Sequence, residues 1–192
     1  MTAIRELTKF CMLANRLILA HYQSLDSCIF STGVVCEVLS HFGFKAVPLR
    51  VEAAVFPTNN KQTGCILGSE GDGTRMPAAS PGCWLGHLVS LIENEYLMDT
   101  TLDQANDVYA YLQVAPVVIY LPHTRWYSDG APIPNPDYHC TGNLPLFASG
   151  STVRYKKSHR QNGWKSAGDF QPCRRREIVK IFIEQAAPLF KE

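Results

Sequence analysis

Cys28, His87 and Asp99 are residue types that together perform acyl transfer: a nucleophile, a base, and an acid that orients the base. A thiol attacks as its thiolate, and the unpaired amides and aligned dipoles at a helix start favour that anion. Cys28 follows Asp26 and Ser27, whose side-chain oxygens suit an N-cap, and it opens a helical pattern. The same amides are placed to donate to the oxyanion of a tetrahedral intermediate. His87 would take the thiol proton and later return it to the leaving group, while Asp99 holds the imidazole in the useful tautomer. Tyr22 and Gln23 are the side chains in reach shortly before the nucleophile, and Gln23 is the better one to complete the oxyanion hole.

A hairpin must bring the base to the acid. His87 to Ile92 reads as one strand, Glu93-Asn94-Glu95 as a polar turn, and Tyr96 to Asp99 as the returning strand. That length sets His87 across from Asp99, on strands about 5 Å apart. Rival groups are less well placed. Cys36 lies inside the helix that Cys28 opens, where amides already bond to carbonyls, and is expected to be inert core. Cys83 sits in a loop before His87 and is a weaker nucleophile. Asp103 competes with Asp99 but falls beyond the strand.

Around this anchor the chain reads as a mixed α+β protein. Apolar residues from Ala3 to about Gln23 recur at helical spacing, giving an amphipathic helix before the one that runs from Cys28 to Phe42. Gly43 suits the position just past that second helix, and Lys45 to Phe56 reads as the first strand. Residues 57–83 read as a long polar loop, Leu102 to Leu112 as a short helix, and Pro116 to Leu121 as a strand. Residues 122–150 are turn-rich. Ser151 to Lys157 is expected to pair with Gly163 to Ser166 in a late hairpin. Pro172 then starts a final helix that runs to about Leu189.

Composition narrows the class. The length of 192 residues corresponds to a single domain, 1–192, able to bury a sizeable core. The longest apolar runs are too short to span a bilayer, and the amino terminus has no secretory layout, so a cytoplasmic location is expected. The odd count of seven cysteines, at irregular spacing, argues against a disulfide framework, and without a Cys-x-x-Cys pair no structural metal is expected. Charge is uneven: residues 1–150 hold 8 Lys/Arg against 13 Asp/Glu, and 151–192 hold 10 against 4. The basic run Arg174-Arg175-Arg176 reads as a solvated helix start that complements the acidic body. With no aromatic interleaving, it does not suggest a nucleic-acid partner.

The sequence also resembles a known group. Asp26-Ser27-Cys28, a helix closing at His41-Phe42-Gly43-Phe44, and the strand Ala46-Val47-Pro48-Leu49-Arg50-Val51 look like the core of transglutaminase-like proteins. Gly86-His87-Leu88-Val89 and Leu97-Met98-Asp99-Thr100-Thr101 are similar to that group's His-bearing and Asp-bearing strands. No aromatic follows His87, and Thr100 replaces the group's common proline. The resemblance covers residues 25–105 and implies a papain-like fold, with the helix carrying Cys28 packed on an antiparallel sheet carrying His87 and Asp99. It implies a peptidase, amidase or transglutaminase-type enzyme acting without a cofactor on a peptide, amide or acyl substrate. Arylamine N-acetyltransferases share the layout, which makes an acyl-CoA-dependent N-acyltransferase the second expectation. A non-catalytic binding module on the same fold is the third. The oligomeric state is not legible.

Overall fold

The computed structural model describes residues 2–22, 28–57, 64–68, 86–121, 151–157, 164–165 and 170–190. It is an α+β structure. Helix α1 spans Thr2–Tyr22 and α2 spans Cys28–His41. Strands β1 (Ala46–Phe56), β2 (Cys65–Leu67), β3 (His87–Ile92) and β4 (Tyr96–Asp99) follow. A one-turn helix, α3 (Ala105–Val108), lies between two 3-10 turns. Next come β5 (Val117–Tyr120), β6 (Thr152–Lys157) and α4 (Pro172–Phe190).

All the described strand pairs are antiparallel. The long strand β1 organises the sheet, because Val51 pairs with both His87 and Lys157, and Ala53 with both Leu67 and Tyr155. A strand has two edges, so β6 takes one of them while β3 and β2 follow one another end to end along the other. From β3 the sheet continues through β4 to β5.

One sheet face packs against the helices, with Ile92, Met98 and Val118 meeting Phe10, Phe30, Val34, Leu39 and Phe182. The other carries a second core of Val51, Ala53, Val55, Leu67, Val89, Val117 and Tyr155, covered by the α3 region. Packed between the sheet and the other helices, α2 is buried almost all round: Phe30, Val34, Val35, Val38 and Leu39 are inaccessible, and Ser31, Thr32 and Gly33 are buried too. A helix apolar on every side belongs inside a protein, where each such side chain contributes about 1.5–3 kcal/mol. Its end is a Schellman turn: Phe44 N–H donates to Leu39 O at 3.0 Å and Gly43 N–H to Ser40 O at 3.1 Å, with Gly43 at φ +85°.

Three elements differ from the sequence reading. The loop expected over 57–83 contains β2, three residues that pair with β1 and bury Cys65 and Leu67. The single helix expected over 102–112 is broken by extended Tyr109 (φ −143°) into 3-10 and α turns. The late hairpin is not seen among the described residues: β6 pairs with β1, and Trp164-Lys165 lies in a 3-10 turn. A short strand pairs where the sheet leaves an open edge, which local pattern does not encode. Residues 122–150 lie outside the described residues.

Candidate active site

The strand that carries His87 starts against the middle of β1, and its neighbour β4 ends at Asp99. The pairing of Ser90 with Met98, continued by one residue, sets Asp99 opposite Val89, two positions from His87 on the same face. His87 and Asp99 are therefore diagonal neighbours rather than directly opposed. The hairpin turn sets this register, with Glu93 and Asn94 both at positive φ and Ile92 paired with Tyr96. The side chains close the gap: His87 Nε2 lies 2.7 Å from Asp99 Oδ2, and both groups are fully buried.

Asp99 is fully engaged. Tyr155 from β6 donates its hydroxyl to the same Oδ2 at 2.8 Å. Thr101 donates its backbone N–H to Oδ1 at 3.1 Å and its hydroxyl at 3.5 Å. Tyr155 escaped the sequence reading because it arrives from a strand more than fifty residues downstream. The alternation of Val153 and Tyr155 on one strand face was its only trace.

Helix α2 is tied to the strands at its first turns. Thr32 donates to Leu88 O at 2.9 Å, Ser31 and Thr100 share a hydroxyl hydrogen bond, and Cys28 Sγ–H points at Gly86 O at 3.8 Å. These contacts seat the first residue of the helix at the start of β3. There Cys28 lies close enough to the His87 ring to favour its protonated form. Since Nε2 is occupied by Asp99, the nitrogen left for the thiol is Nδ1. Burial alone would push the imidazole toward its neutral form. The Asp99 charge and hydrogen bond, followed by the neighbouring Cys28, outweigh it and raise His87 from 6.5 to about 10.

The other described thiols do not share this setting. Burial pushes Cys36 up to about 11, and its Sγ–H donates to Ser90 Oγ at 3.6 Å, in keeping with the expectation of an inert residue. Burial also pushes Cys65 up to about 11. Burial, helped by the charges of Asp99 and Asp103, also holds Cys11 well above the ordinary thiol range, and its Sγ contacts the carbonyls of Asp99 and Val117. Asp103 does not reach His87: Asn15 Nδ2–H donates to it at 3.0 Å, and burial raises its pKa. Gln23 and Cys83 lie outside the described residues. Those residues contain no cluster of His, Cys, Asp and Glu able to hold a metal ion, and none of their helices is long and apolar enough to cross a membrane.

One element of the basic run requires correction. Arg174 and Arg176 are exposed, as a solvated helix start requires, but Arg175 is buried. Its guanidinium pairs with Glu37 Oε2 at 3.2 Å, donates to Phe170 O, and lies over Gly33 of α2. Gly33 has no side chain to occupy that space, so the arginine stem fits against the helix.

No family model matches the chain, and no match to it is found among curated proteins. Its fold is similar to that of a crystal structure described as genomics APC5867, with a TM-score of 0.53 and 14% sequence identity, over 98% of this chain and 80% of the other. At that identity the likeness concerns the fold alone.

Proposed function

We propose that this protein is a cysteine-dependent acyl-transfer enzyme of the transglutaminase-like, papain-like kind, with Cys28 as nucleophile, His87 as base and Asp99 as orienter, acting on an amide or thioester. The observation that carries the reading is the buried His87–Asp99 pair, at 2.7 Å, beside the first residue of a buried helix. As a stabilising device such a pair is a poor choice, because desolvating both partners offsets much of their attraction. As a catalytic device it has a clear use: it holds a protonated ring beside a sulfur, where it favours the thiolate and has a proton ready for the leaving group.

In the proposed reaction the proton shared by Cys28 and His87 rests on the imidazole, which Asp99 stabilises as the imidazolium, and Cys28 reacts as the thiolate. The Cys28 sulfur attacks the carbonyl carbon, forming a C–S bond, while the first amides of α2 face the developing oxyanion. Collapse breaks the bond to the leaving group, which takes the proton from His87. Water or an amine then attacks the thioester, gives its proton to His87, and releases the acyl group as the thiolate–imidazolium pair re-forms.

Intact-protein mass spectrometry after incubation with p-nitrophenyl esters tests this. One acyl adduct on the wild type, absent from Cys28→Ser and slowed in His87→Ala, is the expected result. A wild type that acquires no adduct, or acquires it equally in Cys28→Ser, overturns the proposal. A thermal shift with acetyl-CoA in place of the ester would direct the reading to the acyl-CoA-dependent transferase.

A further inference from the structure

Cys28 has an apolar setting that the triad does not use. It clusters with Ile29, Leu88 and Trp164, and Phe170 packs against them. Within this cluster the indole Nε1 of Trp164 is buried and has no hydrogen-bond partner among the described residues. The residue is only 7% exposed, so water does not meet that donor freely. Buried donors are nearly always satisfied, because leaving one unmet forfeits its hydration without replacement. An unmet N–H in the same cluster as a candidate nucleophile is what a ligand acceptor would complete.

The wall that holds this indole is built rather than incidental. Phe170 meets the Trp164 ring edge-on, with centroids 4.8 Å apart at 85°. Phe170 is fixed in turn by Arg175, which lies 5.0 Å from its ring centroid and donates to its carbonyl oxygen. Arg175 is anchored to α2 through Glu37 and the space above Gly33. The same helix thus presents Cys28 at its start and, through Arg175, supports the aromatic pair beside it. A rigid, apolar surround with one fixed donor is the common pattern of a small-molecule subsite.

We infer that Trp164 is a substrate-recognition residue, donating its indole N–H to an oxygen of an acyl group whose hydrocarbon part lies against Ile29, Leu88 and Phe170. The inference rests on the proposed acyl-transfer reaction. Ile29, Leu88 and Phe170 offer hydrocarbon surface, while Lys165 Nζ lies 5.6 Å over the Trp164 ring and the Arg175 guanidinium 5.0 Å over that of Phe170.

The test compares Cys28 acylation by p-nitrophenyl acetate and hexanoate in the wild type and Trp164→Phe, which keeps a ring but removes the donor. Hexanoate is expected to acylate the wild type about tenfold faster than acetate. Trp164→Phe should lose about tenfold in kcat/KM for hexanoate, with its thiol reactivity toward methyl methanethiosulfonate unchanged. A second measurement needs no folded variant: in wild type with 15N-labelled tryptophan, one indole N–H resonance should move when the hexanoyl-enzyme forms. No adduct with any ester would remove both this inference and the reaction it rests on. An adduct that forms at equal rates with both esters, or with every indole resonance unmoved, would overturn this inference and leave the reaction standing.

Discussion

At the scale of single residues, Asp99 carries the most obligations. It accepts from His87, Tyr155 and Thr101, so it holds the ring while being held by another strand. Tyr155→Phe removes one donor from a buried acceptor without changing the ring's volume. Hydrogen bonds to charged groups contribute about 1.5–3 kcal/mol, and a loss of that size is expected as a lower urea midpoint with unchanged slope. Cys28→Ser, which touches none of these bonds, should leave the midpoint nearly where it was. The pairing of His87 with Asp99 was legible from the hairpin alone, because strand length and turn position bring two sequence-near residues together. Tyr155 was not legible, since nothing local to it announces which strand it will lie beside.

At the scale of elements, two glycines show how closely the pieces are fitted. Gly68, at φ +85°, sits where β2 stops and β3 begins: an added Cβ would lie 2.6 Å from His87 N, 2.7 Å from Val51 O and 2.8 Å from His87 Cβ. Gly68→Ala therefore pushes on the backbone that presents the base. Left-handed strain of about 1–2 kcal/mol adds to overpacking of about 1–3 kcal/mol, so a stability loss of several kcal/mol is expected in urea titration. Cys28 acylation should fall with it even where the protein remains folded. In mid-helix, Gly33→Ala would ordinarily stabilise by up to about 1 kcal/mol. Here the new Cβ would stand 3.0 Å from Arg175 Cδ, Cζ and Nε, and the guanidinium is held by Glu37 and the Phe170 carbonyl. A net loss of about 1–2 kcal/mol is expected, with the sign reversed in an Arg175→Ala background, as a double-mutant cycle would read.

At the scale of the whole molecule, the buried pair links folding to pH. His87 is raised from 6.5 to about 10, so the folded state holds its proton where the unfolded chain releases it. Its contribution is complete below pH 6.5 and is lost as pH climbs through about 10. Denaturant titrations across that interval should show stability falling with pH. In Asp99→Asn, which removes the leading cause of the rise, that slope should flatten. The same variant should acylate about a hundred- to ten-thousandfold more slowly, because its amide no longer stabilises the imidazolium or fixes the tautomer. A steep pH slope preserved in Asp99→Asn would show that another group carries it.

Local chemistry settled a good deal of this protein. Apolar spacing and end residues determined the helices that begin at Cys28 and Pro172, Gly43 determined where α2 stops, and the polar turn at Glu93–Glu95 folded His87 back toward Asp99. These features depend on neighbours a few residues apart, whose contacts follow from the period of a helix or a strand. Only tertiary structure decided that β6 would join β1 and deliver Tyr155, that Arg175 would be buried over Gly33, and that Trp164 would join the Cys28 cluster with an unmet donor. Each depends on which surfaces are left uncovered once the other elements have packed, and that is a property of the assembled molecule rather than of any stretch of chain.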